Sequence, residues 1–250
     1  MIKREFGLIG YPLSHSFSKG YFAEKFEREK INDASYRNFP IEKISLLPAV
    51  LKENPALIGL NVTIPYKEVV LEYLDELADD AGEIGAVNTI KRCPDGTLKG
   101  YNSDLYGFAE TMRRFIPSSS GLGALILGTG GAAKAVKYIC QRAGLPTLSV
   151  SRRPGKDRIS YQALDRGVFD SYRVIINTTP LGMHPKLDAF PEIPYEYLTE
   201  AHYLLDLIYN PSETQFLRKG RLQGSKTKNG MEMLILQAEK SWEIWNDPSC

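Results

Sequence analysis

The sequence contains few of the residues that build metal centres and disulfide frameworks. Its 250 residues include three cysteines, Cys93, Cys140 and Cys250, and three histidines. These residues are far apart along the chain, and no spacing among them matches a zinc site. An odd number of unclustered cysteines is typical of a reducing compartment, where we expect the thiols to stay free. The sequence therefore predicts no metal site.

Long apolar runs and a surplus of one charge are also missing. No apolar run approaches the ~20 residues of a membrane helix, and the apolar start of the chain is too short for a signal peptide. Lys and Arg total 31 against 30 Asp and Glu, so no basic face for nucleic acid is indicated. We expect a soluble cytoplasmic protein, a monomer or homodimer, without nucleic-acid or membrane partners.

Strand and helix patterns alternate along the first hundred residues. Short apolar strands are predicted at 6–9, 36–39 and 57–62, and Ser18 is the expected cap of a helix after the first of them. Helical spacing of apolar residues predicts a helix over 69–81. The turn at Pro94-Asp95-Gly96 predicts a hairpin within 86–101. Alternation of this kind indicates a layered α/β fold with parallel pairing.

A second α/β series follows a linker predicted at 117–121, where proline, serine and glycine are concentrated. Strands are predicted at 125–127, 148–151, 174–177 and 204–208. Helices are predicted at 132–140, 212–217 and 231–245. The chain is thus long enough for two α/β domains, and its pattern predicts them.

A glycine-rich turn, Gly128-Thr129-Gly130-Gly131-Ala132-Ala133, lies between a predicted strand and a predicted helix. Glycine permits the tight turn and lets the backbone approach a pyrophosphate, while the helix N-terminus supplies free N–H groups. The pattern could also be a purely structural turn. The surrounding strand, helix and next strand favour a dinucleotide site.

The residues at the end of the next strand indicate which dinucleotide is bound. NAD-binding folds place an acid there to hold the ribose 2′-hydroxyl. This sequence instead has Ser151-Arg152-Arg153, with Lys156 soon after, and an arginine fork suits a 2′-phosphate. The alternative is a solvated pair of surface arginines. We predict NADP, with Arg152 as the main discriminator.

Polar residues cluster where strands of the first half end. Serine hydroxyls at 14–18 could hold a carboxylate without a cation. An amide, a hydroxyl and an amine follow the third strand within 61–67, and further polar groups follow at 85–89 and 100–104. Each segment alone could be a turn or a helix cap. Together, and with the segments at 177–183, 206–211 and 229–238, they closely resemble the shikimate dehydrogenase family over nearly the whole chain.

The resemblance implies a fold and an activity. The N-terminal domain, residues 1–102 with the C-terminal helix 230–250, would bind the substrate and carry the catalytic groups. Residues 103–229 would form a Rossmann-type NADP domain. The activity implied is NADPH-dependent reversible reduction of 3-dehydroshikimate to shikimate, which serves chorismate and aromatic amino-acid biosynthesis.

The resemblance also implies a role for each matching residue. Ser16 and Ser18 would hold the substrate carboxylate, and Lys67 would be catalytic with Asp104 beside it. The residues that would bind ring hydroxyls or line the site are Thr63, Asn88, Asp104, Tyr209 and Gln237. Those that would bind NADP are Gly128, Thr129, Gly130, Gly131, Ala132, Ser151, Arg152, Arg153, Lys156, Leu207 and Gly230, with Asp79 as a further contact.

The chain departs from the family pattern in several places. Thr129 replaces the usual Ala, Arg153 replaces a Thr that would contact the 2′-phosphate, Ser103 replaces a Thr, and Lys19 follows Ser18 in place of Pro. None of these changes Lys67 or Asp104. The departures therefore bear on the cofactor site more than on the chemistry.

Oxidising a secondary alcohol removes a hydride and a proton, and a Lys beside an Asp can handle the proton. Which of the two is the formal acid stays open, because coupled groups titrate as a unit. Two alternatives also stay open: a related enzyme that acts on quinate or uses NAD, and a non-catalytic cofactor sensor. A sensor would need the glycine turn but not Lys67, Asp104 and the polar set around them.

Overall fold

The computed structural model describes residues 4–13, 16–116 and 121–249. The chain forms two compact units, one of Met1–Asp104 with Ala238–Cys250 and one of Leu105–Gln237. This division lies inside two helices, whereas sequence placed the boundaries at 102/103 and 229/230. Most of the predicted linker, residues 117–120, lies outside the described residues.

The N-terminal unit contains six strands and the helices between them. The strands are β1 (Arg4–Gly10), β2 (Ala34–Pro40), β3 (Leu57–Val62), β4 (Glu76–Leu77), β5 (Thr89–Arg92) and β6 (Leu98–Tyr101). The helices are α1 (Phe17–Arg28), α2 (Leu47–Glu53) and α3 (Asp79–Ile84), with short 3₁₀ turns at Ile44–Leu46 and Val69–Tyr73. Helix α4 (Ser103–Phe115) begins in this unit and continues into the second.

The sheet of this unit has the order β2-β1-β3-β5-β6-β4. Strands β1, β2 and β3 are parallel, and the predicted hairpin of β5 and β6 joins β3 in antiparallel fashion. Side chains alternate along β1, so that Phe6 and Leu8 pack with Phe22 and Trp245 while Ile9 belongs to a separate core on the other face. Both faces of the sheet are therefore covered.

The predicted helix over 69–81 is wrong. A 3₁₀ turn, the short strand β4 and α3 occupy this stretch instead. The backbone N–H groups of Asp75 and Ala78 donate to the carbonyls of Leu98 and Gly100 at 2.9 Å each. A continuous helix would have used these backbone N–H groups for its own hydrogen bonds. Here they pair with the hairpin instead, so tertiary contacts override the helical spacing of the apolar residues.

The C-terminal unit contains a parallel six-stranded sheet. Its strands are β7 (Ala124–Leu127), β8 (Thr147–Val150), β9 (Arg158–Ile159), β10 (Val174–Asn177), β11 (Tyr203–Asp206) and β12 (Lys226–Lys228). Its helices are α5 (Gly131–Arg142), α6 (Arg166–Ser171) and α7 (Gln215–Leu222), with 3₁₀ turns at Tyr161–Ala163 and Tyr195–Tyr197. Helix α8 (Met231–Asn246) begins here and ends in the N-terminal unit.

The order β9-β8-β7-β10-β11-β12 is that of a Rossmann sheet, with the order reversing between β7 and β10. The predicted α/β class with a Rossmann-type unit is confirmed. Side chains alternate along β7. Ala124 and Ile126 pack in the core on one face of the sheet, and Leu125 and Leu127 pack in the core on the other face. A strand buried on both faces explains why this segment is an uninterrupted apolar run.

Two expectations drawn from composition concern the cysteine thiols and membrane-spanning helices. Cys140 is buried with a free thiol, and burial raises its pKa to about 12. Cys93 is disulfide-bonded, so the expectation that all thiols stay free is wrong for this residue. Separation along the sequence does not limit which cysteines a fold brings together. Within the described ranges, no helix is both long and apolar enough to cross a bilayer.

Candidate active site and cofactor cleft

Lys67 and Asp104 form an ion pair in the N-terminal unit. Lys67 Nζ lies 2.6 Å from Asp104 Oδ2, and the two side chains are 35% and 24% exposed. Asp104 is the second residue of α4, where the helix dipole favours a carboxylate. The Lys67 carbonyl accepts a hydrogen bond from the Val87 N–H at 2.8 Å, which fixes the loop after β3. The pair is held in place yet accessible to a ligand.

A buried polar network orients Asn88 beside this pair. The Asn88 side-chain carbonyl accepts from the Ser103 N–H at 2.7 Å, and the Thr89 and Ser103 hydroxyls lie 3.2 and 3.1 Å from it. Because the Ser103 N–H is a donor, the oxygen of the Asn88 side chain must face it. The Asn88 amide nitrogen is therefore the group that can donate to a ligand. Asn88 and Asp104 are thus positioned together, since Ser103 precedes Asp104.

The network continues across the sheet and includes Tyr36 and Ser241, neither of which was a predicted site residue. The Ser241 hydroxyl, from α8, lies 2.8 Å from the Thr89 hydroxyl and accepts from Asn61 Nδ2 at 2.9 Å. Asn61 Oδ1 in turn accepts from the Tyr36 hydroxyl at 2.8 Å. Burial raises the pKa of the Tyr36 phenol, and a hydrogen bond with Ser18 opposes that rise. A buried chain of hydrogen bonds therefore links Ser18 to Asn88.

Ser16, not Ser18, occupies the N-cap position of α1, so the predicted cap is wrong. The Ser16 side chain makes no capping hydrogen bond. Its buried hydroxyl has no partner within the part of the chain that the structure describes. Leaving a buried hydroxyl unpaired costs about 1–3 kcal/mol, so this group is suited to receive a ligand. Tyr36 accounts for the placement of Ser18, because their hydroxyls pair.

Two further predicted residues of this unit differ in their surroundings. Thr63 follows β3, and its methyl group lies close to the backbone of Gly10. A Cβ at position 10 would collide with this methyl group, so glycine permits the contact. Asp79 is exposed at the start of α3 and interacts electrostatically with Lys99. Its role as a cofactor contact stays a prediction.

In the C-terminal unit the glycine turn connects β7 to α5. Gly128 has φ +115°, and a Cβ there would lie 2.6 Å from the Thr178 hydroxyl oxygen, so only glycine fits. Thr178 is fixed beneath it, because its hydroxyl donates to the Leu127 carbonyl at 2.7 Å. Gly130 caps the 12-residue helix α5 without a side-chain hydrogen bond. The turn thus presents free N–H groups and a positive helix end, as an anion site requires.

A cleft of about 800 Å³ opens at this turn, where the strand order reverses. Gly128, Thr129 and Gly130 line it on one side and Thr178–Leu181 on another. Ser151 and Arg152 from the end of β8 also line it, so these predicted cofactor residues are brought together. Ligands of open α/β sheets bind at such a reversal point. Arg153 and Lys156 are exposed and do not line this cleft.

A buried carboxylate, Asp206 at the end of β11, holds the loop that forms the far side of the cleft. It accepts hydrogen bonds from the Thr214 hydroxyl at 2.6 Å and from Asn177 Nδ2 and the Ile208 N–H at 3.0 Å each. Asn177 Oδ1 then accepts from the Thr179 N–H and hydroxyl. Burial raises the pKa of Asp206 to about 6 despite these donors.

We expect this carboxylate to make stability fall with pH. Because its pKa rises from 3.8 to about 6 on folding, the folded state binds the proton more tightly between those values. The contribution is fully present below the unfolded pKa and is lost as pH rises through the folded one. Relative to Asp206→Asn, the native protein should lose up to about 3 kcal/mol over this window, at ~1.4 kcal/mol per pH unit.

Urea unfolding of both proteins at about pH 4, 5.5 and 7 measures this difference. The exposed Asp170→Asn serves as the control, with no comparable trend expected. The raised pKa of Asp206 would be contradicted if the free energy of unfolding of the native protein, minus that of Asp206→Asn, stayed constant or grew as pH rises.

The remaining predicted residues lie just after β11, just before α8 and within α8. A Cβ on Gly230 would overlap the Leu207 carbonyl, and the Gly230 N–H donates to the Ile208 carbonyl at 3.1 Å. Gly230 and Leu207 are therefore in contact, and their place near the nicotinamide stays a prediction. Gln237 is buried in α8 and donates to the Leu234 carbonyl at 2.9 Å, and Tyr209 is half-buried after β11.

Comparison with known proteins bears on both units. A family model described as the shikimate dehydrogenase substrate binding domain matches residues 8–90. A shikimate dehydrogenase (NADP(+)) of Clostridium beijerinckii is 41% identical over 252 residues, covering 97% of this chain and 92% of the relative.

Solved structures agree in fold. Shikimate 5-dehydrogenase of Thermus thermophilus, in complex with NADP(H) and shikimate, is 30% identical with a TM-score of 0.81, covering 98% of this chain and 96% of that one. Quinate dehydrogenase of Corynebacterium glutamicum, in complex with NAD, is 26% identical with a TM-score of 0.86, covering 98% and 94%. The same fold is thus found in a dehydrogenase named for shikimate with NADP(H) bound and in one named for quinate with NAD bound.

Proposed function

The chain belongs to the shikimate dehydrogenase family, and on that premise we propose that it interconverts 3-dehydroshikimate and shikimate with NADP(H). The reaction is a step of chorismate and aromatic amino-acid biosynthesis. The Lys67–Asp104 pair carries the proposal, with its nitrogen and oxygen 2.6 Å apart and Asn88 held beside it. A partly exposed amine–carboxylate pair among hydroxyl-binding groups suits proton transfer at a ring alcohol.

The residues of the C-terminal unit fit the cofactor. Gly128 has no room for a side chain, and the end of α5 offers free N–H groups for a pyrophosphate. Gly128–Ala132 and residues 151–156 would hold NADP, with Leu207 and Gly230 near the nicotinamide. When bound, the cofactor supplies or accepts the hydride.

The protein itself handles the substrate and the proton. The unpaired Ser16 hydroxyl, with Ser18, would bind the substrate carboxylate, and Asn88 Nδ2 and Asp104 would bind ring hydroxyls. In the oxidative direction the Lys67–Asp104 pair accepts the hydroxyl proton, and in the reductive direction it returns a proton to the forming alkoxide. Because the two groups share a hydrogen bond, they act as one acid–base unit.

A spectrophotometric assay with shikimate or quinate, each with NADP and with NAD, tests the proposal. We expect the highest kcat/KM for shikimate with NADP. A higher kcat/KM for quinate would instead identify a quinate dehydrogenase. Absence of turnover with every pair, in a folded protein that binds the cofactor, would favour the sensor alternative.

The carboxylate site gives a separate prediction. Replacing Ser16 and Ser18 with Ala should weaken shikimate binding about 10-fold or more per hydroxyl, because a hydrogen bond to a charged group contributes ~1.5–3 kcal/mol. Removing the unpaired Ser16 hydroxyl alone should leave the free protein at least as stable as before, because no hydrogen bond is lost and the cost of the unpaired group is removed. Fluorescence titration measures shikimate and NADP affinity, and urea unfolding measures stability.

Ser35→Ala, a half-buried serine of β2 in the same unit, is the matched control and should change neither affinity. Loss of NADP affinity with intact shikimate affinity in the Ser16/Ser18 variant would contradict the assignment.

Location and partners follow from the same reaction. We propose a cytoplasmic enzyme because the reaction serves biosynthesis, and a net charge of +1 supports the absence of a nucleic-acid partner. We propose a monomer or homodimer. Sedimentation of the purified protein and cell fractionation test these points.

A further inference from the structure

Three buried hydroxyls meet beside the side-chain carbonyl of Asn88. They belong to Thr89 in β5, Ser103 at the start of α4 and Ser241 in α8. Their oxygens lie 2.8 Å apart between Thr89 and Ser241, 3.0 Å between Ser103 and Ser241, and 3.1 Å between Thr89 and Ser103. Each residue is at most 1% exposed, so solvent does not compete for these hydrogen bonds. We call this group the hydroxyl triangle.

Asn61 sets the direction of hydrogen bonding into the triangle. Its Nδ2 lies 3.3 Å from the backbone carbonyl of Asn88, which can only accept, so the amide nitrogen must face that way. Asn61 Oδ1 on the opposite side then accepts from the Tyr36 hydroxyl at 2.8 Å. The same amide nitrogen donates to the Ser241 hydroxyl at 2.9 Å. Ser241 is therefore the acceptor in its contact with Asn61.

Asn88 sets the direction of hydrogen bonding out of the triangle. Its Oδ1 can only accept, and the donors around it are the Ser103 N–H at 2.7 Å, the Ser103 hydroxyl at 3.1 Å and the Thr89 hydroxyl at 3.2 Å. When the Thr89 hydroxyl gives its proton to Asn88, Ser241 is the donor in its 2.8 Å contact with Thr89. Donation then runs from Asn61 through Ser241 and Thr89 to Asn88.

This directed chain acts on the nitrogen of the Asn88 side chain. Hydrogen bonds in a chain polarise one another, so an amide whose oxygen accepts several of them donates more strongly through its nitrogen. Rotating the Asn88 amide by half a turn would set its N–H groups against buried donors, which is unfavourable. Because Ser241 is fully buried, it influences a ligand of Asn88 only through its neighbours.

We propose that Ser241 is a positioning residue for the substrate. Its hydroxyl accepts from the Asn61 amide and, through Thr89, holds the nitrogen of Asn88 toward a ring hydroxyl. The inference rests on the proposed function, since it presupposes that Asn88 binds the substrate. A triangle that only satisfies polar groups of the core would contribute to stability, but it would not couple Ser241 to Asn88 in substrate affinity.

A double-mutant cycle of Ser241→Ala and Asn88→Ala tests this coupling. Fluorescence titration measures the affinity for shikimate and NADP⁺, and urea unfolding measures stability. We expect Ser241→Ala to weaken shikimate binding about 3- to 10-fold, the contribution of roughly one hydrogen bond, and to change NADP⁺ affinity less than ~2-fold. In the Asn88→Ala background the same substitution should change shikimate affinity less than ~2-fold, because the positioned group is gone.

Steady-state kinetics supply a second readout. KM for shikimate should rise in Ser241→Ala while kcat stays within about 2-fold, as expected when binding to substrate and transition state weakens equally. Thr89→Val removes the next hydroxyl of the chain and keeps the branched shape, so it should give the same loss and add little to Ser241→Ala. This variant also tests the inference if Ser241→Ala fails to fold.

Ser225→Ala is the matched control. Ser225 is a buried serine of the other unit, and its hydroxyl donates to the Thr199 carbonyl at 2.9 Å. Its removal should leave shikimate affinity unchanged. Native shikimate affinity in a folded Ser241→Ala protein, or an equal loss with and without the Asn88 side chain, would overturn the inference alone. An unmutated protein that neither binds nor oxidises shikimate would overturn the proposed function as well.

Discussion

Replacing Lys67 with alanine is expected to lower kcat for shikimate oxidation by about 10²–10⁴-fold, the usual contribution of a general acid–base group. KM for shikimate should change much less, because the lost interaction belongs to the transition state. The side chain is 35% exposed and paired at the surface, so its removal should cost little stability. Steady-state kinetics and circular dichroism measure the two effects.

Lys99→Ala is the matched control. Lys99 pairs with Glu76 at 3.1 Å in the same unit, with 31% of its side chain exposed, but lies outside the site. We expect Lys99→Ala to keep native kcat. Asp104→Ala should lower kcat as well, and the double variant should be no worse than Lys67→Ala alone if the pair acts as a unit. A folded Lys67→Ala enzyme with near-native kcat would refute the assignment.

The sequence predicted those features that depend on local pattern. The strand, glycine turn and helix around Gly128 follow from residues within one segment, and the buried runs of β7 and β10 mark a sheet covered on both faces. The hairpin of β5 and β6 follows from Pro94-Asp95-Gly96. The proximity of Lys67 and Asp104, 37 residues apart, came from the family resemblance, since no spacing rule relates them.

Other features depend on contacts that no local pattern encodes. The two-residue strand β9 and the polar strand β12 exist because a neighbouring parallel strand offers hydrogen bonds, and neither is long enough to show alternation. Ser241 meets Asn61 across 180 positions.

Cofactor preference is the second large expected effect. We expect the unmutated enzyme to prefer NADP, and Ser151→Asp to lower kcat/KM with NADP by about 100-fold or more, since like charges brought together cost several kcal/mol. Ser151 directly follows β8 and its N–H donates to the Ile159 carbonyl at 2.9 Å. In NAD enzymes an acid at this position binds the ribose 2′-hydroxyl. The kcat/KM of Ser151→Asp with NAD should therefore be maintained or rise.

Ser151→Asn separates charge from shape, because it has nearly the size of Asp without the carboxylate. It should keep the NADP preference that Ser151→Asp loses. The effect of the aspartate should also shrink at high salt, where repulsion between exposed charges is screened. Equal kcat/KM for NADP and NAD in the unmutated enzyme would contradict the preference. A Ser151→Asp enzyme that still favours NADP would mean that the 2′-phosphate lies away from the end of β8.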